Sequence, residues 1–138
     1  MSKRKLYWRD LTPAGKVRRW SKACRVIGNL SEHEIERHFV MRDWAIKTDC
    51  GTVGCAAGHC ALDPSIQKDG FYINFTSWGT FDHFTVNPSD YYGHYAFDNI
   101  FTKRNYLELK GKEGHEIVYG AMLDYLKDLK MEAKRKET

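Results

Sequence analysis

The residues best equipped for chemistry lie in one stretch, Asp49-Cys50-Gly51-Thr52-Val53-Gly54-Cys55-Ala56-Ala57-Gly58-His59-Cys60. Three chemistries fit it. In the first, Cys55 and His59, four apart on one helical face, bind zinc together with Cys50 from the preceding loop. Cys60, Cys24 or a distant histidine would complete that set, although Cys-x4-Cys-x3-His-Cys is not a standard zinc spacing. In the second, Cys55 at a helix N-terminus is a nucleophile whose thiolate the helix dipole favours. His59, His94 or His115 would then serve as its base. In the third, the cysteines are core residues, because a reduced cysteine packs as a small hydrophobe.

Each chemistry depends on how the chain positions the stretch. Gly51 and Gly54 allow a tight turn around Thr52-Val53. The small side chains from Cys55 onward predict a short helix over 55–62, capped by Thr52 or entered through Gly54. Small residues on most faces predict a buried central helix. Gly58 costs about 1 kcal/mol relative to alanine inside a helix, so a close packing contact is expected there.

The flanking sequence supplies the walls. Residues 1–11 form a polar arm, tacked down by Tyr7 and Trp8. Thr12-Pro13 reads as a helix start with Thr as cap. Val17, Trp20, Cys24 and Ile27 make its apolar stripe, Arg18, Lys22 and Arg25 a basic one, and Gly28 its end. Ser31 and Glu34 form a capping box for a second, short helix, with His33 and His38 expected on the surface. Residues 39–49 read as extended or irregular, with Trp44 and Ile46 packing on the central helix. Asp63 to Gly70 reads as a loop. Phe71, Ile73 and Phe75 alternate with polar residues, and 81–86 reads as the returning strand of a hairpin. Two strands alone are marginal in water, so they must lean on a helix or gain a third strand, which 39–46 could supply. Asn87-Pro88 starts another helix. Lys103 to Gly114 reads as a loop, and a final helix runs from about His115 to Met131 on a stripe of Val118, Met122, Tyr125 and Leu129. Residues 132–138 are expected to fray. The expected fold is a single α+β domain spanning 1–138, with four to five helices and a β-hairpin or small antiparallel sheet.

Composition narrows the class. The 138 residues are 42% hydrophobic and 29% charged, values typical of one globular domain. No apolar run reaches the roughly 18 residues of a membrane span. The basic start Met1-Ser2-Lys3-Arg4-Lys5 is followed by no apolar segment of a secretory signal. Reduced cysteines and a cytoplasmic location are therefore expected. The net charge is +4, but its distribution is uneven. Residues 3–25 carry nine cations against Asp10 alone, whereas 49–101 carry Asp49, Asp63, Asp69, Asp82, Asp90 and Asp98 against Lys68 alone. The basic part could meet nucleic acid, or it could cover the chain's own acidic face.

The run Cys-Gly-Thr-Val-Gly-Cys-Ala-Ala-Gly-His over 50–59 follows Phe39-x-Met41-x-x-Trp44 and precedes an aromatic segment ending Asn99-Ile100-Phe101. Over roughly 39–101 it resembles small, mostly uncharacterised proteins of phages and prophage-bearing bacteria that carry Cys-Gly-Thr-x-x-Cys-x-x-Gly-His. Cys60 departs from that pattern, in which a small apolar residue is usual. The resemblance implies an accessory protein in the cytoplasm of a bacterial host, which binds and inhibits a host defence factor without catalysis.

The residues leave other readings open. Phosphate loops, dinucleotide fingerprints and hydrolase elbows are absent. Aromatic residues make up 14% of the chain. Tyr72, Trp78, Tyr91, Tyr92 and Tyr95 could stack on a base while Arg18, Arg19 or Lys103 meets phosphate, giving a nucleotide-sequestering protein. A cysteine-dependent enzyme using Cys55 and a nucleic-acid binder using the N-terminal helix complete the set. Asp82 and His83 sit side by side on a strand and should face opposite ways unless a bulge intervenes.

Overall fold

In a computed structural model of the chain, residues 6–48 and 51–137 are described. Cys50, one of the metal candidates, lies outside them. The frame is an antiparallel pair of helices, α1 (Pro13–Gly28) and α7 (Gly111–Glu137). Thr12 caps α1 by accepting from the Gly15 N–H at 3.0 Å, with Pro13 in its first turn. The predicted stripe faces inward, with Trp20, Cys24 and Ile27 buried. Trp20 Nε1 donates to the Met122 carbonyl of α7 at 2.8 Å, which fixes the register of the two helices. Gly28 does end α1, for reasons of packing: a Cβ there would lie 2.5 Å from the Tyr119 hydroxyl.

Ser31 and Glu34 form the expected capping box at the start of α2 (Glu32–His38). The chain then runs through a parallel bridge between Phe39 and Gly54 into β1 (Ala45–Thr48), which pairs antiparallel with β2 (Gly51–Gly54). Residues 39–48 are thus extended or irregular, as expected. Their strand, however, forms a hairpin with 51–54 and does not simply extend the later one. A single bridge, Ile46 to Thr80, and a bond from Lys47 N–H to the Gly79 carbonyl at 2.9 Å join the two hairpins.

The second hairpin is β3 (Ile73–Phe75) with β4 (Phe81–Phe84). Its register passes from Asn74↔His83 to Phe75↔Phe81, leaving Asp82 as an extra residue. This bulge is the exception under which Asp82 and His83 need not point apart. His83 Nδ1 lies 3.1 Å from Asp82 Oδ2, with both side chains exposed.

Between the hairpins lie α3 (Ala56–Ala61) and α4 (Pro64–Lys68). The α4 turn replaces the loop expected over 63–70. Asp63 caps it by accepting from the Ser65 and Ile66 N–H groups, each at 3.1 Å. The aromatic segment forms α5 (Pro88–Tyr92), α6 (His94–Ala96) and one π-type turn (Phe97–Phe101). The last helix begins at Gly111 and continues to Glu137, so it is longer at both ends than 115–131. Its first turn replaces the end of the expected loop over 103–114. The architecture is α+β, with seven α-helices and two small antiparallel sheets among the described residues. The helices outnumber the expected four to five because α4 and α6 are single turns.

Every residue of α3 is buried, as its small side chains predict. The contact that requires Gly58 is backbone: a Cβ at Gly58 would lie 1.7 Å from the Trp44 carbonyl oxygen. Around α3 runs an aromatic core. Trp20 meets Tyr92 and Tyr125 edge-on at 5.4 and 5.2 Å, and Phe71 stacks on Tyr91 at 4.6 Å. Such edge-on and offset pairs add to simple burial.

Candidate ligand-binding cleft

The cysteines turn inward. Cys24, Cys55 and Cys60 are free thiols, each buried. Cys55, not Thr52, caps α3, and its Sγ accepts from the Gly58 N–H at 3.5 Å. The expected helix-end position is therefore present, but burial outweighs it. Burial pushes the Cys55 thiol up to about 11, against the lowering effect of the Gly58 and Ala57 amides. Burial likewise raises Cys24 to about 12 and raises Cys60 further. Burial thus works against a Cys55 thiolate, whereas a nucleophile needs its thiolate favoured.

His59 does not serve Cys55 either. Its Nε2 donates to the His38 carbonyl at 2.8 Å, and its ring stacks on Phe39 at 5.9 Å. Burial holds its pKa below 6.5, with the His38 carbonyl and Glu34 pulling the other way. His115 Nε2 bonds the Ile27 carbonyl at 2.7 Å, and His94 is exposed on α6. Among the described residues, no three His, Cys, Asp or Glu side chains gather as a metal group.

The proposed stacking residues are split up. Tyr91 and Tyr92 are core residues, 1% and 0% exposed, with no face open to a base. Burial raises Tyr91 to about 12 and holds Tyr92 well above the ordinary tyrosine value. Tyr72 is exposed on the β3–β4 hairpin, Trp78 at its tip, and Tyr95 packs on Tyr125 at 4.5 Å. Arg19 is a clamp rather than a phosphate ligand. Its guanidinium lies 3.8 Å from the Tyr91 ring centre and donates to the carbonyls of Leu6 and Tyr91, each at 2.9 Å. Lys103 sits over Tyr106 at 4.6 Å. Of this set, Arg18 alone stays a solvent-facing cation on α1.

What the fold builds instead is a cleft of about 790 Å³ between α1, α2, β2 and the α3–α4 junction. That volume falls in the range of small-molecule sites. Lys22 and Arg25 form the α1 wall, His38 and Glu34 come from α2, and Gly51, Thr52 and His59 come from the central stretch. The described part of the stretch thus has two sides, with the Cys55 and Cys60 thiols in the core and Gly51, Thr52 and His59 at the cleft.

His38 is the residue the sequence misplaced. It is 7% exposed, not a surface residue, and its Nε2 is buried without a hydrogen-bond partner among the described residues. The ring is held edge-on to His33 at 5.3 Å and packs against Gly51, where a Cβ would lie 2.9 Å from His38 Cε1. Gly51 has φ +124°, a backbone state that favours glycine. A signal was available in the sequence: His38 directly precedes Phe39, whose side chain must enter the core. It was not decisive, because the end of a short polar helix reads as surface.

The charges around the cleft are not equivalent. Its carboxylates are committed to helix capping: Glu34 Oε1 accepts from the Ser31 N–H at 3.2 Å, and Asp63 Oδ2 caps α4. Lys22 pairs with Asp69 at 3.4 Å. Arg25 is exposed and lies in no ion pair among the described residues. Comparison of the chain with protein-family models, curated proteins and solved structures finds no match. No helix among the described residues is long and apolar enough to cross a membrane.

Proposed function

We propose that the chain is a binding protein whose cleft takes a small phosphate-bearing ligand of nucleotide type. The observation that carries this reading is His38. An imidazole nitrogen buried without a partner costs free energy, and a ligand acceptor or donor would satisfy it. Arg25, which lines the same cleft, offers a planar fork of donors suited to phosphate. The buried, high-pKa thiols favour binding over cysteine catalysis. The recognition set differs from the aromatic one expected, since it is built from Arg25, His38 and Thr52 with no exposed ring among them.

Thermal shift against inorganic phosphate and a panel of mononucleotides tests the reading. Stabilisation by at least one ligand, abolished in His38→Ala and weakened in Arg25→Gln, is the expected result. A flat response across the panel removes the proposal.

A second reading, inhibition of a host protein, is favoured by Trp78. It is 90% exposed at a hairpin tip, and exposed tryptophans are strong contact residues at interfaces. Pull-down with wild type and Trp78→Ala separates the two readings, because loss of a partner in the variant supports inhibition and leaves the cleft ligand untouched.

A further inference from the structure

We infer that the cleft is one end of a basic track, and that its phosphate-bearing ligand is the end of a nucleic-acid strand rather than a free nucleotide. The inference rests on the cleft reading above and names its ligand class. Four depressions on the surface share residues in sequence. The cleft shares Lys22 and Arg25 with a groove of about 600 Å³ along α1. That groove shares Arg18 with a smaller one of about 340 Å³ between α1 and α7, whose far wall is Lys130 and Lys134. Lys130 and Lys134 recur in a fourth of about 350 Å³, together with Lys127. A continuous line of cations therefore leads from His38 to the C-terminal half of α7.

The pattern on α7 argues against an ordinary solvated helix. At 3.6 residues per turn, Lys130 and Lys134 lie on the flank that meets α1, with Lys127 next to them on the solvent side, while Asp124, Asp128 and Glu132 take the other flank. The carboxylates are thus kept off the track. Along it, the acidic groups are Glu34 and Asp63, both capping helices, and Asp69 beside Lys22. Arg18 to Arg25, and Lys127 to Lys134, each span about 10 Å at 1.5 Å per residue. Two cation rows on packed helices lie about 8–10 Å apart. A chain of phosphates can be followed by such rows, and releasing its counterions favours binding.

Other polyanions fit less well. A lipid surface needs a continuous apolar face to insert, and α7 has already turned Val118, Met122 and Leu129 into the core, leaving Ile117, Leu123 and Met131 as its exposed large apolar residues. No exposed aromatic side chain lines the track. Contacts to the strand are therefore to its phosphates, and binding carries little base preference.

The test is fluorescence anisotropy with end-labelled short oligonucleotides of mixed sequence, competed by mononucleotide. The oligonucleotide is expected to bind at least about tenfold more tightly than the mononucleotide, weakening steeply between about 50 and 200 mM salt. The triple variant Arg18→Gln, Lys130→Gln, Lys134→Gln should lose that advantage and keep the mononucleotide affinity. His38→Ala should weaken both. All three track residues are exposed, and circular dichroism verifies that the variant folds. Equal affinity for oligonucleotide and mononucleotide overturns the track and leaves the cleft reading standing. Binding of neither ligand removes both. Tighter binding to phosphatidylserine vesicles or to polyglutamate than to the oligonucleotide also overturns the inference.

Discussion

Gly58 and Gly51 stand on the two sides of one short stretch, and the atoms they face are of different kinds. A side chain at Gly58 would collide with backbone, the Trp44 carbonyl at 1.7 Å. One at Gly51 would meet the His38 ring at 2.9 Å, at a position that is itself exposed. The first side is sealed by the fold and cannot yield. The second borders a cleft whose histidine has a buried nitrogen still without a partner. The same short stretch therefore packs the core on one side and borders the cleft on the other. Cys55 and Cys60, its cysteines among the described residues, belong to the sealed side.

The sharpest way to break this contrast is Gly58→Ala. Overpacking against backbone should destabilise the protein by about 3 kcal/mol or more, read by denaturant unfolding. A loss below about 1 kcal/mol would mean that β1 and α3 are not locked together there. Thiol chemistry comes next. With Cys55 pushed from 9.0 to about 11, its thiolate is about a hundredfold rarer than that of a free thiol at neutral pH. In a Cys50→Ser background, iodoacetamide should label native protein slowly at every remaining cysteine and quickly after unfolding. Fast native labelling of Cys55 would reinstate the nucleophile.

Gly51→Ala should cost about 1–2 kcal/mol through its left-handed backbone. It should also displace His38, so ligand affinity falls alongside stability. Gly58→Ala, by contrast, should act through stability alone. The pH dependence follows from His59. Its folded pKa lies below the unfolded 6.5, so the unfolded chain takes up a proton that the folded chain resists. The His59 contribution is intact above pH 6.5 and is lost as the pH falls through the folded value. Melting temperature should therefore decline on acidification below about 6.5, and less steeply in His59→Gln. The smallest effect is expected at Trp78→Ala, where a change within about 0.5 kcal/mol accords with a residue held by nothing in the fold. A larger loss would make Trp78 a structural residue and weaken the protein-contact reading.

Local signals in the sequence were sufficient for much of the frame. Thr12-Pro13, the Ser31–Glu34 box and Asn87-Pro88 each start a helix, because capping is satisfied within a few residues of chain. The stripe of Trp20, Cys24 and Ile27 and the small residues of α3 announce burial by pattern alone. The β3–β4 hairpin follows from alternation, but its bulge at Asp82 does not. A bulge is a property of two strands in register, and one strand's sequence does not record it.

The site was less legible, for a physical reason. Whether Tyr91 and Tyr92 stack on a ligand or on Phe71 and Trp20 depends on which rings are brought near, and aromatic residues carry the same information in either case. Arg19 and Arg18 are neighbours of one type, yet one closes over Tyr91 and the other faces solvent. What the sequence determined by itself was the presence of a small-residue helix around Cys55, and the segregation of its cations into α1. Only the tertiary structure decided that the Cys24, Cys55 and Cys60 thiols are buried, that His38 and Arg25 line one cleft, and that Arg18 of α1 borders a groove with Lys130 and Lys134 of α7. Those are relations between residues far apart in the chain, set by how helices dock and not by any local preference.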